Sequence, residues 1–285
     1  MKHCLYLFLC VVSISCAQHD GQLTFICDLP NKFNENSGIT TLQNDKIWLI
    51  EDNGNDDVIY EVSTKGERLR EFKVKNARNN DWEDLTKDDK GNLYIGDFGN
   101  NNNDRKDLVI YKIPNPTAEP GDKIEAEKIN FKYPEQKEYP PSPSKRKYDT
   151  EALFFLDSML YIITKDRSNP FSGEALIYTV PAQAGNYDAT MVGTFRTCNK
   201  STTCQITSAA ISPDKKKIVL LGYGTLWLIT NYQLPDFSKG TVQFIDLGVR
   251  TQLEAVCFKD NSTILLSDEK NRGTGQNLYS FKLPL

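Results

Sequence analysis

Short apolar runs separated by clusters of Gly, Asn, Asp and Pro recur along the chain, and hardly any stretch shows the spacing of an amphipathic helix. The clearest runs, at residues 46–51, 92–97, 159–164, 217–222 and 263–268, predict strands. Each follows a shorter run with a small or acidic start: Ser37-Gly38-Ile39, Glu83-Asp84-Leu85, Glu151-Ala152-Leu153, Ser208-Ala209-Ala210 and Glu254-Ala255-Val256. In four of these an aspartate stands six residues on, at Asp89, Asp157, Asp214 and Asp260, where a tight turn between two strands favours it. Third runs at 108–113, 175–180 and 279–283 close at a proline, and fourth runs follow at 67–74, 128–133, 191–196 and 242–247.

Units of roughly 46 residues suit the four-stranded blades of a propeller better than a sandwich, whose strands do not repeat as a fixed module. The last unit has three runs, and the orphan run at 23–28 supplies its fourth. Pairing the two ends in one blade closes the ring and removes exposed edges. The expectation is an all-β chain folded as a single β-propeller over residues 23–285, with five four-stranded blades. Six blades is the alternative, should an irregular stretch hide another. The longest such stretch, 134–148, carries Pro140, Pro141 and Pro143 and reads as a loop.

Lys2 precedes an apolar run over residues 5–12 that is too short to span a bilayer and ends in small residues, the pattern of a signal peptide. A signal peptide over 1–16 and a tether over 17–22 follow. Removal before Cys16 leaves a lipid-bearing cysteine, as in bacterial lipoproteins; removal after Ala17 leaves a secreted chain. Of the seven cysteines, Cys27, Cys198, Cys204 and Cys257 then remain, in an oxidising compartment. Cys198 and Cys204 could close a small loop, while Cys27 and Cys257 sit in apolar runs that suit buried thiols.

A net charge of −4, with basic residues scattered rather than grouped, argues against a nucleic-acid groove. The only histidines are His3 and His19, so the propeller body excludes a Ser-His-Asp triad, a Cys-His pair and a His-ligated zinc site.

First strands line a propeller's channel, so the repeat predicts that Glu83, Glu151 and Glu254 meet at one mouth, with Ser37 and Ser208 in the other two blades. The ends of second strands add Asp52, Asp97, Asp166 and Asp268, with Asp81 and Asp149 just upstream of two of the glutamates. Converging carboxylates raise one another's pKa or recruit a cation, and Ca²⁺ is the natural partner for an all-oxygen set. Glu83, Glu151 and Glu254 are therefore the expected metal ligands. Trp82 beside them, and Lys165, Arg167, Lys270 and Arg272 on the same loops, complete the expected ligand-binding mouth.

The segments Trp82-Glu83-Asp84-Leu85, Thr150-Glu151-Ala152-Leu153 and Leu253-Glu254-Ala255-Val256, each followed by a strand such as Asn92-Leu93-Tyr94-Ile95-Gly96-Asp97, resemble exported propellers of Bacteroidetes. More loosely, they resemble the superfamily of phytase-like esterases, calcium-dependent lactonases and NHL-type propellers. The resemblance implies channel acids that hold a metal, here Glu83, Glu151 and Glu254, and it favours a lipoprotein anchored through Cys16. Lactonases of that group use channel histidines, which this chain lacks. Two functions are expected. The first is a monomeric, exported propeller binding a small molecule or partner protein at its mouth, with structural Ca²⁺. The alternative is a metal-dependent hydrolase of an ester or phosphoester, with Asp97, Asp166 or Asp268 as base.

Overall fold

The computed structural model describes residues 21–284; the expected signal peptide, its Cys16 and most of the tether lie outside the described residues. Five antiparallel blades follow one another along the chain. Blade 1 is Asn36–Gln43, Lys46–Glu51, Val58–Ser63 and Arg68–Lys75. Blade 2 is Trp82–Lys87, Leu93–Asp97, Val109–Ile113 and Glu127–Lys132. Blade 3 is Asp149–Leu156, Met159–Lys165, Glu174–Pro181 and Thr190–Arg196. Blade 4 is Ile206–Ile211, Ile218–Gly222, Thr225–Thr230 and Thr241–Asp246. Blade 5 is Leu253–Phe258, Thr263–Asp268 and Asn277–Lys282, completed by the N-terminal strand Thr24–Asp28, which pairs antiparallel with the third. The chain is thus a five-bladed propeller closed by its own N-terminal strand.

Burial falls from the inside outward. The inner strands Leu253–Phe258 and Asn36–Gln43 are almost wholly covered, whereas the outer strand Thr241–Asp246 is exposed at all but one position. The apolar core is accordingly five layers between neighbouring blades rather than one central mass. Trp48 packs between blades 1 and 2, Tyr178 between 2 and 3, Trp227 between 3 and 4, Leu266 between 4 and 5, and Phe33 where 5 meets 1. Two short strands not foreseen from the sequence fasten blades together. Lys123–Glu125, from the loop of blade 2, runs parallel to the outer strand of blade 1; Gly185–Asp188, from blade 3, does the same on blade 2. At three or four residues they are too short to show an alternating pattern.

The aspartates at Asp89, Asp157, Asp214 and Asp260 do sit in the turns between first and second strands. In blade 2 it is Asp88 that ties the turn, taking the amides of Lys90 and Asn92 at 2.9 and 3.0 Å.

Every inner strand carries a β-bulge at the same point of the repeat. The register slips between Asn36 and Gly38, Trp82 and Asp84, Thr150 and Ala152, Ile206 and Ser208, and Leu253 and Ala255. The extra residues are Ser37, Glu83, Glu151, Thr207 and Glu254. A bulge turns its extra side chain away from the ladder. This corrects the repeat alignment in blade 4, where Thr207, not Ser208, is the counterpart of the glutamates.

One step deeper stand Gly38, Asp84, Ala152, Ser208 and Ala255. With only five blades the inner strands crowd the axis, and four of these residues are small. A Cβ on Gly38 would lie 2.6 Å from the Leu85 amide nitrogen. The fifth, Asp84, is fully buried and fills the waist. Its Oδ1 accepts from the Leu85 amide at 2.9 Å and the Ser208 hydroxyl at 3.1 Å; its Oδ2 accepts from the amides of Leu153 at 2.9 Å and Ala209 at 3.4 Å. Ser208 Oγ in turn accepts from the Val256 amide at 3.2 Å. Blades 2, 3, 4 and 5 are thereby tied at the axis by one carboxyl group and one hydroxyl, which divide the channel into two mouths.

Cys198 and Cys204 form a disulfide with Cα atoms 5.6 Å apart, and Cys27 and Cys257 carry none.

Candidate functional site

The bulge residues do two different things. Ser37 and Thr207 turn their hydroxyls onto the neighbouring inner strand, donating to the carbonyls of Trp82 and Leu253, each at 2.8 Å. Glu83, Glu151 and Glu254 are too long for that contact and project into one mouth. There they feel one another: Glu83 interacts electrostatically with Glu151, and Glu151 with Glu254.

The closest grouping in this mouth is Asp52, Asp81 and Glu83, whose carboxylate oxygens lie within 4.8 Å of one another. The loop that brings them together is held by Asn79, which donates to the carbonyls of Glu51 and Asp52 at 2.9 Å and accepts from the Trp82 amide at 3.1 Å. Asn53 donates its side-chain amide to Asp81 Oδ1 at 2.7 Å, leaving the rest of that carboxylate for the cluster. Glu83 is 7 % exposed, and among the described residues no donor reaches its carboxylate. Burial, then Glu151, Asp52 and Asp81, push its pKa well above the usual range. Asp52 is pushed up to about 7 by burial, with Asp81 and Glu254 adding to it. A buried acid with no donor is costly unless it takes a proton or a cation.

The opposite wall is compensated. Lys165, 3 % exposed, meets Glu151 Oε1 at 3.1 Å and donates to the Tyr223 hydroxyl at 3.1 Å. Burial alone would lower its pKa, but Glu151 and Glu254 outweigh that and raise it. Arg167 spans Asp149 and Glu151, at 3.1 Å from the latter. Next to them Gln252 donates to Glu254 Oε1 at 3.2 Å and to Glu269, whose pKa is driven up to about 9 by burial and then by Glu254 and Asp52. Tyr223 and Gln252 also line a cavity of about 430 Å³, with Thr202, Arg250, Thr251 and Asn271.

The close set therefore differs from the expected Glu83, Glu151 and Glu254. Glu83 is common to both, Glu151 is engaged by Lys165 and Arg167, and Glu254 accepts from Gln252. Several expected mouth residues are elsewhere. Trp82 is fully buried, packed on Tyr111, with its indole N–H on the Arg78 carbonyl at 3.0 Å. Asp97 pairs with Arg105 at 3.0 Å and takes the Asp81 amide at 3.0 Å. Asp268 accepts from the Asn277 amide at 2.8 Å and the Tyr279 hydroxyl at 3.1 Å. Asp166 ties its own loop through Ser168 and Ser172; burial raises its pKa, but those hydrogen bonds prevail and lower it. All three proposed hydrolytic bases are thus occupied by structural bonds. Ser37 and Ser208 serve the strands, and Lys270 and Arg272 are exposed on the rim. Asp52, Lys165 and Arg167 remain in the mouth. Glu269, Tyr223, Gln252 and Asn79 were not foreseen.

Gly99 sets how closely the triad can pack. A Cβ there would fall 2.1 Å from Glu83 Oε1 and 2.4 Å from Asp81 Oδ2. Both atoms end flexible side chains, so Gly99→Ala is expected to change the cation-free melting temperature little while displacing the triad. Isothermal titration with calcium is expected to show at least a tenfold loss of affinity, about 1.4 kcal/mol.

Architecture and geometry define a five-bladed propeller with one carboxylate-rich mouth. No family model matches the chain, and no curated protein matches it. Among solved structures it is similar to the PQQ-bound aldose sugar dehydrogenase of Streptomyces coelicolor, at 11 % identity and a TM-score of 0.52 over 93 % of this chain and 99 % of that one. It also aligns with virginiamycin B lyase from Staphylococcus aureus, at 16 % identity and a TM-score of 0.43 over 90 % of this chain and 69 % of that one. A protein of unknown function from Bacteroides thetaiotaomicron aligns at 10 % identity and 0.49, over 91 % and 75 %. At these identities the likeness to the dehydrogenase concerns the fold alone, and the other two carry no weight.

Proposed function

We propose that this propeller is a cation-dependent binding protein. Asp52, Asp81 and Glu83 hold one divalent cation, and the cation, with the cavity beside Tyr223 and Gln252, captures a small oxygen-bearing ligand. The observation that carries this reading is Glu83, a buried carboxylate with no donor, facing two further acids whose oxygens are within 4.8 Å. Calcium suits the set, because it takes roughly six to eight oxygen ligands and tolerates irregular geometry. Three carboxylates leave positions open for water or for a ligand's hydroxyl, carboxylate or phosphate oxygens. The proposal includes export, as a secreted chain or one anchored by a lipid on Cys16, and a monomeric state. The Cys198–Cys204 disulfide supports export, since such bonds persist in oxidising compartments.

Thermal unfolding in calcium and in chelator tests the cation. At calcium about a hundredfold above its Kd, stabilisation of about 2.7 kcal/mol is expected, or roughly 5–10 °C for a chain of this size. Glu83→Gln is expected to lose the shift. Equal melting temperatures of the wild type in calcium and chelator would remove the cation from the account.

A further inference from the structure

The other end of the channel holds a second cavity, of about 440 Å³. The Asp84–Ser208 knot separates it from the acidic mouth, and its chemistry differs. Its lining is mixed: Leu42, Leu85, Phe155, Ala210 and Cys257 supply an apolar side, Asp88, Asp89, Lys90 and Lys215 a polar one, and Lys87, the last residue of the inner strand of blade 2, brings an ammonium group. Over the rim Lys215 of blade 4 reaches Asp89 at 3.2 Å and Asp157 at 3.0 Å, fastening three blades around the opening.

Lys87 has no counter-ion. Its Nζ donates to the backbone carbonyl of Thr41, and among the described residues no carboxylate lies within ion-pair distance of it. The nearby acids are committed: Asp88 to the amides of its turn, and Asp89 to Lys215. Cys257, which interacts with Lys87, has its thiol pushed up to about 12 by burial and stays neutral, so it supplies no negative charge. Burial accordingly draws Lys87 below the ordinary lysine range. An ammonium group partly withdrawn from water beside an apolar wall is stabilised most by an anion that brings its own apolar body.

We infer that this cavity binds a small organic monocarboxylate, with its apolar body against Leu42, Leu85 and Phe155 and its carboxylate on Lys87 Nζ. The volume lies within the range of small-molecule sites. Neither this site nor its ligand depends on the cation proposed for the other mouth.

Calorimetric titration of the full chain with octanoate and 3-phenylpropionate, each beside its uncharged amide, tests the inference. At least one acid is expected to bind the wild type at least about tenfold more tightly than its amide, the increment of one charged hydrogen bond. Lys87→Met, which keeps the side chain out to Cε and removes the charged Nζ, is expected to bring acid and amide to the same weak affinity. Absence of binding by both acids, acids and amides of equal affinity on the wild type, or undiminished acid binding in a folded Lys87→Met variant would each overturn it. The wild-type comparison decides the matter even if the variant does not fold.

Discussion

Replacing Asp84 with alanine is expected to cost about 4 kcal/mol and to lower the melting temperature by roughly 8–15 °C. Asp84 is fully buried, and its two oxygens take donors from its own blade, from Leu153 of blade 3 and from Ser208 and Ala209 of blade 4. Truncation leaves three inner-strand amides, of Leu85, Leu153 and Ala209, and the Ser208 hydroxyl on the axis without that acceptor, each costing about 1–3 kcal/mol. The sum is less than four full penalties, because burial pushes the Asp84 pKa well up and alanine relieves that cost. Asparagine is expected to restore only part of the loss, since its NH₂ faces one of two pairs of donors. Circular dichroism melts measure both. A melting temperature for Asp84→Ala within about 2 °C of the wild type would mean that the waist is held by the blade-to-blade layers alone.

The cation-free protein is expected to lose stability as pH rises, and calcium is expected to reverse the trend. The sign follows from carboxyls whose folded pKa lies above the ordinary value: Asp52 at about 7, Glu269 at about 9, and Glu83 shifted in the same direction. Such groups give their full contribution below the unfolded pKa, near 4, and lose it as pH rises through 7 and then 9. Discounting for solvent screening, the set is worth about 3 kcal/mol, or on the order of 10 °C between pH 5 and 9. A bound cation favours the ionised forms, so its stabilisation grows over the same window. Scanning calorimetry at several pH values, with calcium and with chelator, reads both trends. Parallel curves would contradict the assignment of Asp52 and Glu83 to the cation site.

Blade number and closure by residues 24–28 were legible because a propeller repeats one module, so each strand could be checked against four others. The site was legible only in part, for a reason rooted in strand geometry. Neighbouring residues point to opposite sides, so a shift of one position exchanges a mouth residue for a structural one. Asp97 and Asp268 end their second strands opposite Trp82 and Leu253, and bond Tyr111 and Tyr279 within the blade. The mouth acids Asp52 and Glu269 come one residue later. Glu269 follows Asp268 as Asp52 follows Glu51, and that parallel was the available signal.

In blade 4 the repeat set Ser208 against the glutamates because Thr207 and Ser208 are chemically alike, and only the pairing of Ser208 with Leu221 separates them. Asp84 was passed over as the neighbour of Glu83. The small residues at its four equivalent positions, Gly38, Ala152, Ser208 and Ala255, marked the axis where one large side chain fits.

The most direct test of the cation site is calorimetric titration of calcium into the wild type and Glu83→Gln at pH 8. One site per chain is predicted, with a Kd on the order of 10⁻⁴ M or tighter, and a repeat at pH 6, below the value of about 7 to which Asp52 is raised, is predicted to add proton release on binding. In Glu83→Gln the heat is predicted to vanish. Calcium binding of equal affinity in the variant, or none in the wild type, would contradict the assignment of Asp52, Asp81 and Glu83 as the cation site.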